Sequence, residues 1–253
     1  AAMHQFIPLD AGPYVANFLD HWKPDLAIFT ESEMWPNLIL AASERNIPLT
    51  LINARMSPRS MKRWRKYAKF ARPLFSRFGL ILAQTDKVAR VLRFLGAPDV
   101  RTSGNIKIDA PPPPVDAAKL AALRDAIGAR PVWLASSTHA GEEQQVGAAY
   151  SQLRSTYPNL LTIIAPRHPA RAQAISNELS ALGLKVERRS LTEVPSADCQ
   201  IFLADTIGEL GTLYALCPIA FIGGSLVEHG GQNPIEAVKH GAVVLSGPHT
   251  HNF

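Results

Sequence analysis

The sequence predicts an α/β protein built from two parallel-sheet units in tandem. Three observations carry that prediction. Short apolar runs recur along the chain, separated by helix-length amphipathic stretches, which is the pattern of parallel strands covered on both faces. The 253 residues are 47% hydrophobic and 19% charged, enough for one large domain or two ordinary ones and too apolar for a disordered chain. Four prolines stand together at 111–114. Proline lacks a backbone donor and favours an extended polyproline II path, so this run predicts a hinge over 111–116, between a domain over 1–110 and another over 117–253.

Taken in order, the strands expected before the hinge are residues 26–29, 49–53, 80–83 and 100–102. After it come 132–135, 161–165, 199–204, 219–222 and 242–245. Helical patterns between them include 37–45, 117–127, 141–156, 171–182 and 233–240. This alternation is the βαβ signature of doubly wound sheets. A further helical stripe of Met61, Trp64, Ala68, Ala71 and Phe75 has Lys62, Arg65, Lys66, Lys69 and Arg72 lying off it. Such a helix either docks its apolar stripe on the sheet or forms an interfacial rim for an anionic lipid headgroup.

Charge divides at the hinge. Residues 1–114 hold sixteen basic and nine acidic side chains, a net of +7, whereas 115–253 hold ten and twelve, a net of −2. Nine basic residues and no acidic one fall between Arg55 and Arg77. A one-sided field of this kind attracts anionic partners, but no nucleic-acid-binding motif accompanies it. No apolar run approaches the roughly 20 residues of a membrane span, and the opening residues lack the pattern of a secretory leader. The two cysteines, Cys199 and Cys217, form no CxxC pair, so neither a disulfide framework nor a structural zinc site is expected. A soluble or membrane-peripheral protein of a reducing compartment is the expectation.

In doubly wound folds the ligand sits beyond the carboxyl ends of the strands, and here those ends run into dense polar segments. The segment after 219–222 is Gly223-Gly224-Ser225-Leu226-Val227-Glu228-His229-Gly230-Gly231-Gln232-Asn233-Pro234-Ile235-Glu236. Its glycines either let the backbone approach a ligand or only close a tight turn. Asn233 is placed to cap a helix with Pro234 at its first position, whose free amides suit a phosphate. Glu236, in the first turn, either accepts hydrogen bonds from sugar hydroxyls or only complements the dipole. Arg167, after 161–165, is either an anion ligand or a surface salt-bridge partner. No dinucleotide fingerprint, P-loop, HExxH or nucleophile elbow is present.

Together these segments resemble the 3-deoxy-D-manno-octulosonic acid (Kdo) transferases of lipid A assembly. The resemblance rests on Thr30-Glu31-Ser32-Glu33-Met34-Trp35-Pro36-Asn37, Ile52-Asn53-Ala54-Arg55-Met56-Ser57, Gly104-Asn105-Ile106-Lys107-Ile108-Asp109 and Ser137-Thr138-His139-Ala140-Gly141-Glu142-Glu143. It continues through Pro166-Arg167-His168-Pro169, Gly208-Glu209-Leu210, Gly223 to Glu228, Gly231 to Glu236 and Gly247-Pro248-His249-Thr250. It implies the GT-B architecture, two Rossmann-like domains facing a cleft, here with an incomplete N-terminal domain. It implies a glycosyltransferase that moves Kdo from CMP-Kdo to a lipid A precursor, with no metal and no cofactor, at the cytoplasmic face of the bacterial inner membrane. Carried over by motif, Pro166, Arg167, Gly208, Glu209, Leu210, Asn233, Pro234, Ile235 and Glu236 bind the donor, while Glu31 and Lys107 stabilise the transition state.

The sequence departs from that family in one respect. The family's proposed general base, a glutamate in a Ser-Val-Gly-Glu-like loop near the N-terminus, has no counterpart here, nor does its hydrophobic anchor. The expectation is a fragment truncated at both ends and lacking the base that deprotonates the acceptor hydroxyl. The alternatives are a non-catalytic nucleotide- or lipid-surface-binding fragment, or another GT-B transferase using a different nucleotide sugar.

Overall fold

A computed structural model describes residues 3–253. The chain divides into two compact units, Ala1–Asp109 and Ala110–Phe253. The first runs α1 (Gly12–Trp22), β1 (Ala27–Thr30), α2 (Pro36–Glu44), β2 (Leu49–Ala54), α3 (Pro58–Lys66), α4 (Ala68–Phe75), β3 (Leu80–Ala83), α5 (Asp86–Phe94) and β4 (Val100–Thr102), then a 3₁₀ turn at Ile106–Ile108. Its four strands are all parallel and lie in the order β1-β2-β3-β4. Proline opens α2 and α3 and stands second in α1, where the missing N–H costs nothing. Ser57 and Thr85 cap α3 and α5 by accepting the amides of Ser60 and Val88. Ile39, Leu51, Phe75, Phe78, Ile81 and Leu92 fill the core, with Phe29 edge-on to Phe78 at 5.7 Å.

The second unit runs α6 (Ala117–Ile127), β5 (Val132–Thr138), α7 (Glu142–Leu153), β6 (Leu161–Pro166), α8 (Ala172–Ala181), β7 (Val186–Arg188), β8 (Ile201–Leu203), α9 (Leu210–Leu216), β9 (Ile219–Ile222), α10 (Ile235–Lys239) and β10 (Val243–Ser246). Its six parallel strands lie in the order β10-β9-β5-β6-β8-β7. Alternate residues sort to opposite faces, as the pleat requires. Leu134, Ile163, Phe202, Ala220 and Ile222 join one buried cluster with Leu123 and Leu213. Ala135, Ile164, Ile201, Leu203 and Phe221 join another with Tyr150, Ile175 and Leu179. A sheet buried on both faces explains why these strands read as continuous apolar runs rather than as alternations.

The proline run lies against the second unit. A Cβ on Gly211 in α9 would meet the Pro114 carbonyl oxygen at 2.3 Å, so glycine is what admits the run. The Asp116 amide donates to Thr212 Oγ1 at 3.0 Å, and His240 Nε2 sits 3.0 Å from the Pro113 oxygen.

Several expected elements are shifted or divided. The basic stripe is not one helix: it breaks at Tyr67, whose φ of −105° and ψ of 34° leave the helical region between α3 and α4. The stripe still docks inward, because Met61, Ala71 and Phe75 are buried and Trp64 and Ala68 pack on the core, while Lys62, Arg65, Lys66, Lys69 and Arg72 are exposed. The strand expected over 199–204 narrows to Ile201–Leu203, since Cys199 belongs to a turn closed by its amide on the Ser196 carbonyl. The helix expected over 233–240 is only Ile235–Lys239, with Pro234 as its N-cap rather than its first residue. The short strand β7 carries Val-Glu-Arg and no apolar run, so nothing in its composition announces it.

Candidate functional site

Parallel strands place all their carboxyl ends on one edge of a sheet, and each unit gathers polar side chains there. In the first unit, Glu31 follows β1 and Lys107 lies in the 3₁₀ turn that follows β4. Their side chains meet across the edge: Lys107 Nζ is 2.5 Å from Glu31 Oε1. Arg55, just after β2, brings Nη1 within 3.9 Å of Glu31 Oε2. One carboxylate thus faces two cations from different strands.

The backbone beneath this cluster is strained. Glu31 has φ of 54° and Asn53 φ of 53°, a region that bulky L-residues avoid unless surrounding contacts impose it. The contacts are present. The Glu31 amide donates to the Ile52 carbonyl and its own carbonyl accepts from the Arg55 amide, while Ser32 Oγ donates to the Arg55 carbonyl at 2.9 Å. Asn53 is buried, its Oδ1 accepting from the Ile106 amide at 3.3 Å, which anchors the turn that bears Lys107. A cavity of about 180 Å³ opens beside Glu31, Ser32, Arg55, Arg63 and Trp64.

In the second unit Pro166 is the last, buried residue of β6, and Arg167 follows it on the surface. The Arg167 amide donates to the Thr138 carbonyl, and its guanidinium forms no hydrogen bond or ion pair among the described residues. Gly208, at φ of 86°, turns the chain from β8 into α9, whose first residue is Leu210. Glu209 is not a free acceptor. Arg189 binds it at 3.1 Å and Lys119 at 2.5 Å, and Thr206 Oγ1 donates to it as well. Burial pushes its carboxyl upward, but hydrogen bonds from Arg189, Lys119 and Thr206 outweigh that and hold its pKa down at about 2.

Asn233 stands one residue before the N-cap of α10, its Oδ1 accepting from the Ile235 amide at 3.2 Å. Glu236 lies half-buried in the first turn. The chain therefore brings Glu31 and Lys107 into contact, and sets Arg167, Glu209 and Glu236 after β6, β8 and β9 on one edge of the second sheet. Glu209 pairs with Arg189 and Lys119 rather than with Arg167 or Glu236.

The glycine-rich turn after β9 is tied into its own unit. Its amides do not point at open space: the amides of Gly224, Ser225 and Leu226 all donate to the buried carboxylate of Glu142. Next to it, His139 packs on His229 with ring centroids 4.0 Å apart and the ring planes tilted by 32°, and contacts Gln232 Nε2 at 3.1 Å. Burial lowers the pKa of His139, and the neighbouring His229 lowers it further. Arg55 and Asn53 were within reach of sequence reading as polar residues ending a strand. Their service to Glu31 and Lys107 was not, since it depends on neighbouring strands. Among the described residues no three of His, Cys, Asp and Glu are placed to hold a metal ion, and no helix is long and apolar enough to cross a membrane.

Two Rossmann-like parallel-sheet units in one chain define the GT-B class of α/β proteins. Solved structures with the same fold include a UDP-GlcNAc 2-epimerase from Neisseria meningitidis bound to UDP-GlcNAc, with a TM-score of 0.56 and 18% identity over 92% of this chain and 62% of that one. A closer sequence match is the C-terminal CMP-Kdo binding domain of WaaA from Acinetobacter baumannii, with a TM-score of 0.51 and 36% identity over 54% of this chain and 72% of that one. Residues 1–110 match the family model described as 3-deoxy-D-manno-octulosonic-acid transferase (kdotransferase). The 3-deoxy-D-manno-octulosonic acid transferase of Haemophilus influenzae is 38% identical over 100% of this chain and 60% of its own length. A probable mitochondrial 3-deoxy-D-manno-octulosonic acid transferase of Arabidopsis thaliana is 38% identical over 99% of this chain and 58% of its own length. The chain belongs to the Kdo transferase family, and it spans about three-fifths of these two relatives.

Proposed function

We propose that the chain serves transfer of Kdo from CMP-Kdo to a lipid A precursor, the second unit holding the donor and the first carrying the charge pair that assists the reaction. The observation that carries this reading is the Lys107–Glu31 contact of 2.5 Å, held on strained backbone at a sheet edge. In the transfer, an acceptor hydroxyl oxygen gives up its proton to a base or to solvent and bonds to the anomeric carbon of Kdo as the bond from that carbon to the CMP phosphate oxygen breaks. The electron pair leaves with CMP, so negative charge grows on the phosphate. A lysine ammonium opposes that charge where it develops. Glu31, in contact with the ammonium, holds Lys107 in place, and this geometry favours a positioning role over direct stabilisation of positive charge on the sugar. Arg167, an exposed guanidinium without a protein partner among the described residues, suits the donor's phosphate or carboxylate.

The acceptor and the membrane draw on the basic face of the first unit. A groove of about 570 Å³ between α3 and α5 has an apolar floor of Met61, Val91 and Phe94 and a rim of Lys62, Arg65, Lys87 and Arg90. Apolar floor and cationic rim fit an anionic lipid surface, which supports peripheral attachment at the inner face of the bacterial inner membrane.

The test is a transfer assay with CMP-Kdo and the lipid A precursor, run on this chain and, for the variants, on a full-length protein that carries its sequence. Lys107→Ala and Glu31→Ala are expected to cut turnover by about 10²-fold or more while the circular dichroism spectrum stays unchanged. Turnover at the parent rate from either variant overturns the role given to that residue. CMP binding without any transfer identifies a binding module instead. UDP competing as well as CMP points to a different nucleotide-sugar donor.

A further inference from the structure

The structure assigns Glu142, to which the sequence reading gave no role, as the positioning residue of the donor site. The assignment rests on the reading that the second unit binds the cytidine nucleotide. Glu142 is the first residue of α7 and is fully buried. Both of its oxygens are used, and each accepts two backbone amides. Oε2 takes His139 N at 2.8 Å and Gly224 N at 2.7 Å, while Oε1 takes Ser225 N at 3.0 Å and Leu226 N at 2.9 Å.

Three successive amides turned toward one point, with Gly224 at φ of 70°, form the kind of nest that elsewhere binds a phosphate. Here the chain's own carboxylate fills it. The turn after β9 is therefore a framework held from within, and its outward-facing side chains and glycines are what remain to meet a ligand.

The location gives this clamp its consequence. In the order β10-β9-β5-β6-β8-β7, the chain leaves β5 toward β6 on one side and returns to β9 on the other. The β5–β9 boundary is thus the topological switch point, where open α/β sheets bind ligands. Glu142 joins the loops on the two sides of that boundary. A Cβ on Gly223 would lie 2.4 Å from the Ser137 carbonyl oxygen, so the loops already touch backbone to backbone.

The clamp also reaches the next loop. The Ser225 hydroxyl, buried, accepts the Gly247 amide at 2.8 Å, and the Ser225 carbonyl accepts the His249 amide. Through Ser225, one carboxylate sets the loops after β5, β9 and β10 together. The loop after β9 continues into Asn233 and Glu236.

Glutamine at 142 replaces one oxygen with an NH₂ that confronts two amide donors, so the clamp on one side is lost while shape is kept. Glu143 supplies the comparison: it is equally buried, but it binds Arg171 at 2.8 Å and Thr138 Oγ1 at 2.9 Å and touches none of the amides after β9.

Calorimetric titration of CMP into the full 253-residue chain reads the difference, with affinity expressed per binding-competent molecule. Glu142→Gln is expected to weaken CMP by at least about tenfold, and Glu142→Asp to recover part of that loss. Glu143→Gln is expected to stay within about threefold of the parent despite a comparable loss of melting temperature. Parent affinity in Glu142→Gln, alongside weakened binding in Arg167→Ala, overturns the positioning role and leaves the donor site standing. Parent affinity in both overturns the donor site itself. Should the glutamine variant not fold, Glu142→Asp decides: weakened CMP binding by a cooperatively melting protein supports the role, and parent affinity overturns it.

Discussion

Glu209 illustrates how a residue can belong to a motif and yet be bound up in its own scaffold. Its carboxylate joins α6 through Lys119 and the segment after β7 through Arg189, which fixes the turn carrying Gly208 and Leu210. Its folded pKa of about 2 lies below the ordinary carboxylate value of 4.5. The contribution is therefore complete above pH 4.5 and is lost as pH falls from there toward 2. Its size is on the order of 1–3 kcal/mol. Acid unfolding followed by tryptophan fluorescence should show a Glu209→Gln variant with a smaller stability loss over that interval than the parent. Identical pH profiles would mean that the two cations contribute nothing to the folded state. The other residue-scale feature is strain: Glu31, Asn53 and Ser137 all have positive φ at the carboxyl ends of strands. Strained residues gathered at one edge of each sheet are a mark of sites whose geometry is imposed by their surroundings.

The turn between β9 and α10 is an element built around absent side chains. Any Cβ on Gly223 meets the backbone of Ser137 and Thr138 at 2.4 to 2.6 Å, and backbone cannot swing aside as a flexible side chain can. Gly223→Ala should therefore cost about 2–3 kcal/mol, read as a lower urea midpoint with an unchanged slope. Gly12→Ala, in a helix where the added atom meets nothing within 4 Å, should be neutral or slightly stabilising. Equal costs at the two sites would refute the close packing of these loops. Element boundaries also teach where periodicity stops being informative. The stripe from Met61 to Phe75 predicts a continuous helix because its apolar residues keep helical spacing. The break at Tyr67 leaves that spacing nearly intact, so the pattern of burial survived while the count of helices did not.

At the scale of the molecule, each unit has a core drawn from its own residues, and each can melt as its own cooperative unit. Scanning calorimetry should resolve two transitions. CMP should raise only the one belonging to the second unit, since a ligand stabilises the structure that binds it. A shift of both transitions, or of the first alone, would contradict the placement of the donor site. The charge asymmetry works at the same scale: a first half of net +7 concentrates its field on α3, α4 and α5.

The amino-acid sequence by itself determined that two parallel α/β sheets follow one another and that polar residues crowd the ends of their strands. Apolar runs and turn residues are local signals, legible without knowing which strands become neighbours. Tertiary structure alone decided the partners. Lys107 reaches Glu31 across 76 positions because Asn53, near the end of β2 beside β1, anchors the turn that bears Lys107. Glu142 captures amides 82 to 84 residues away because β9 lies beside β5. Contacts of that kind depend on strand order, which is settled by the packing of the whole chain and leaves no periodic trace in the residues that make them.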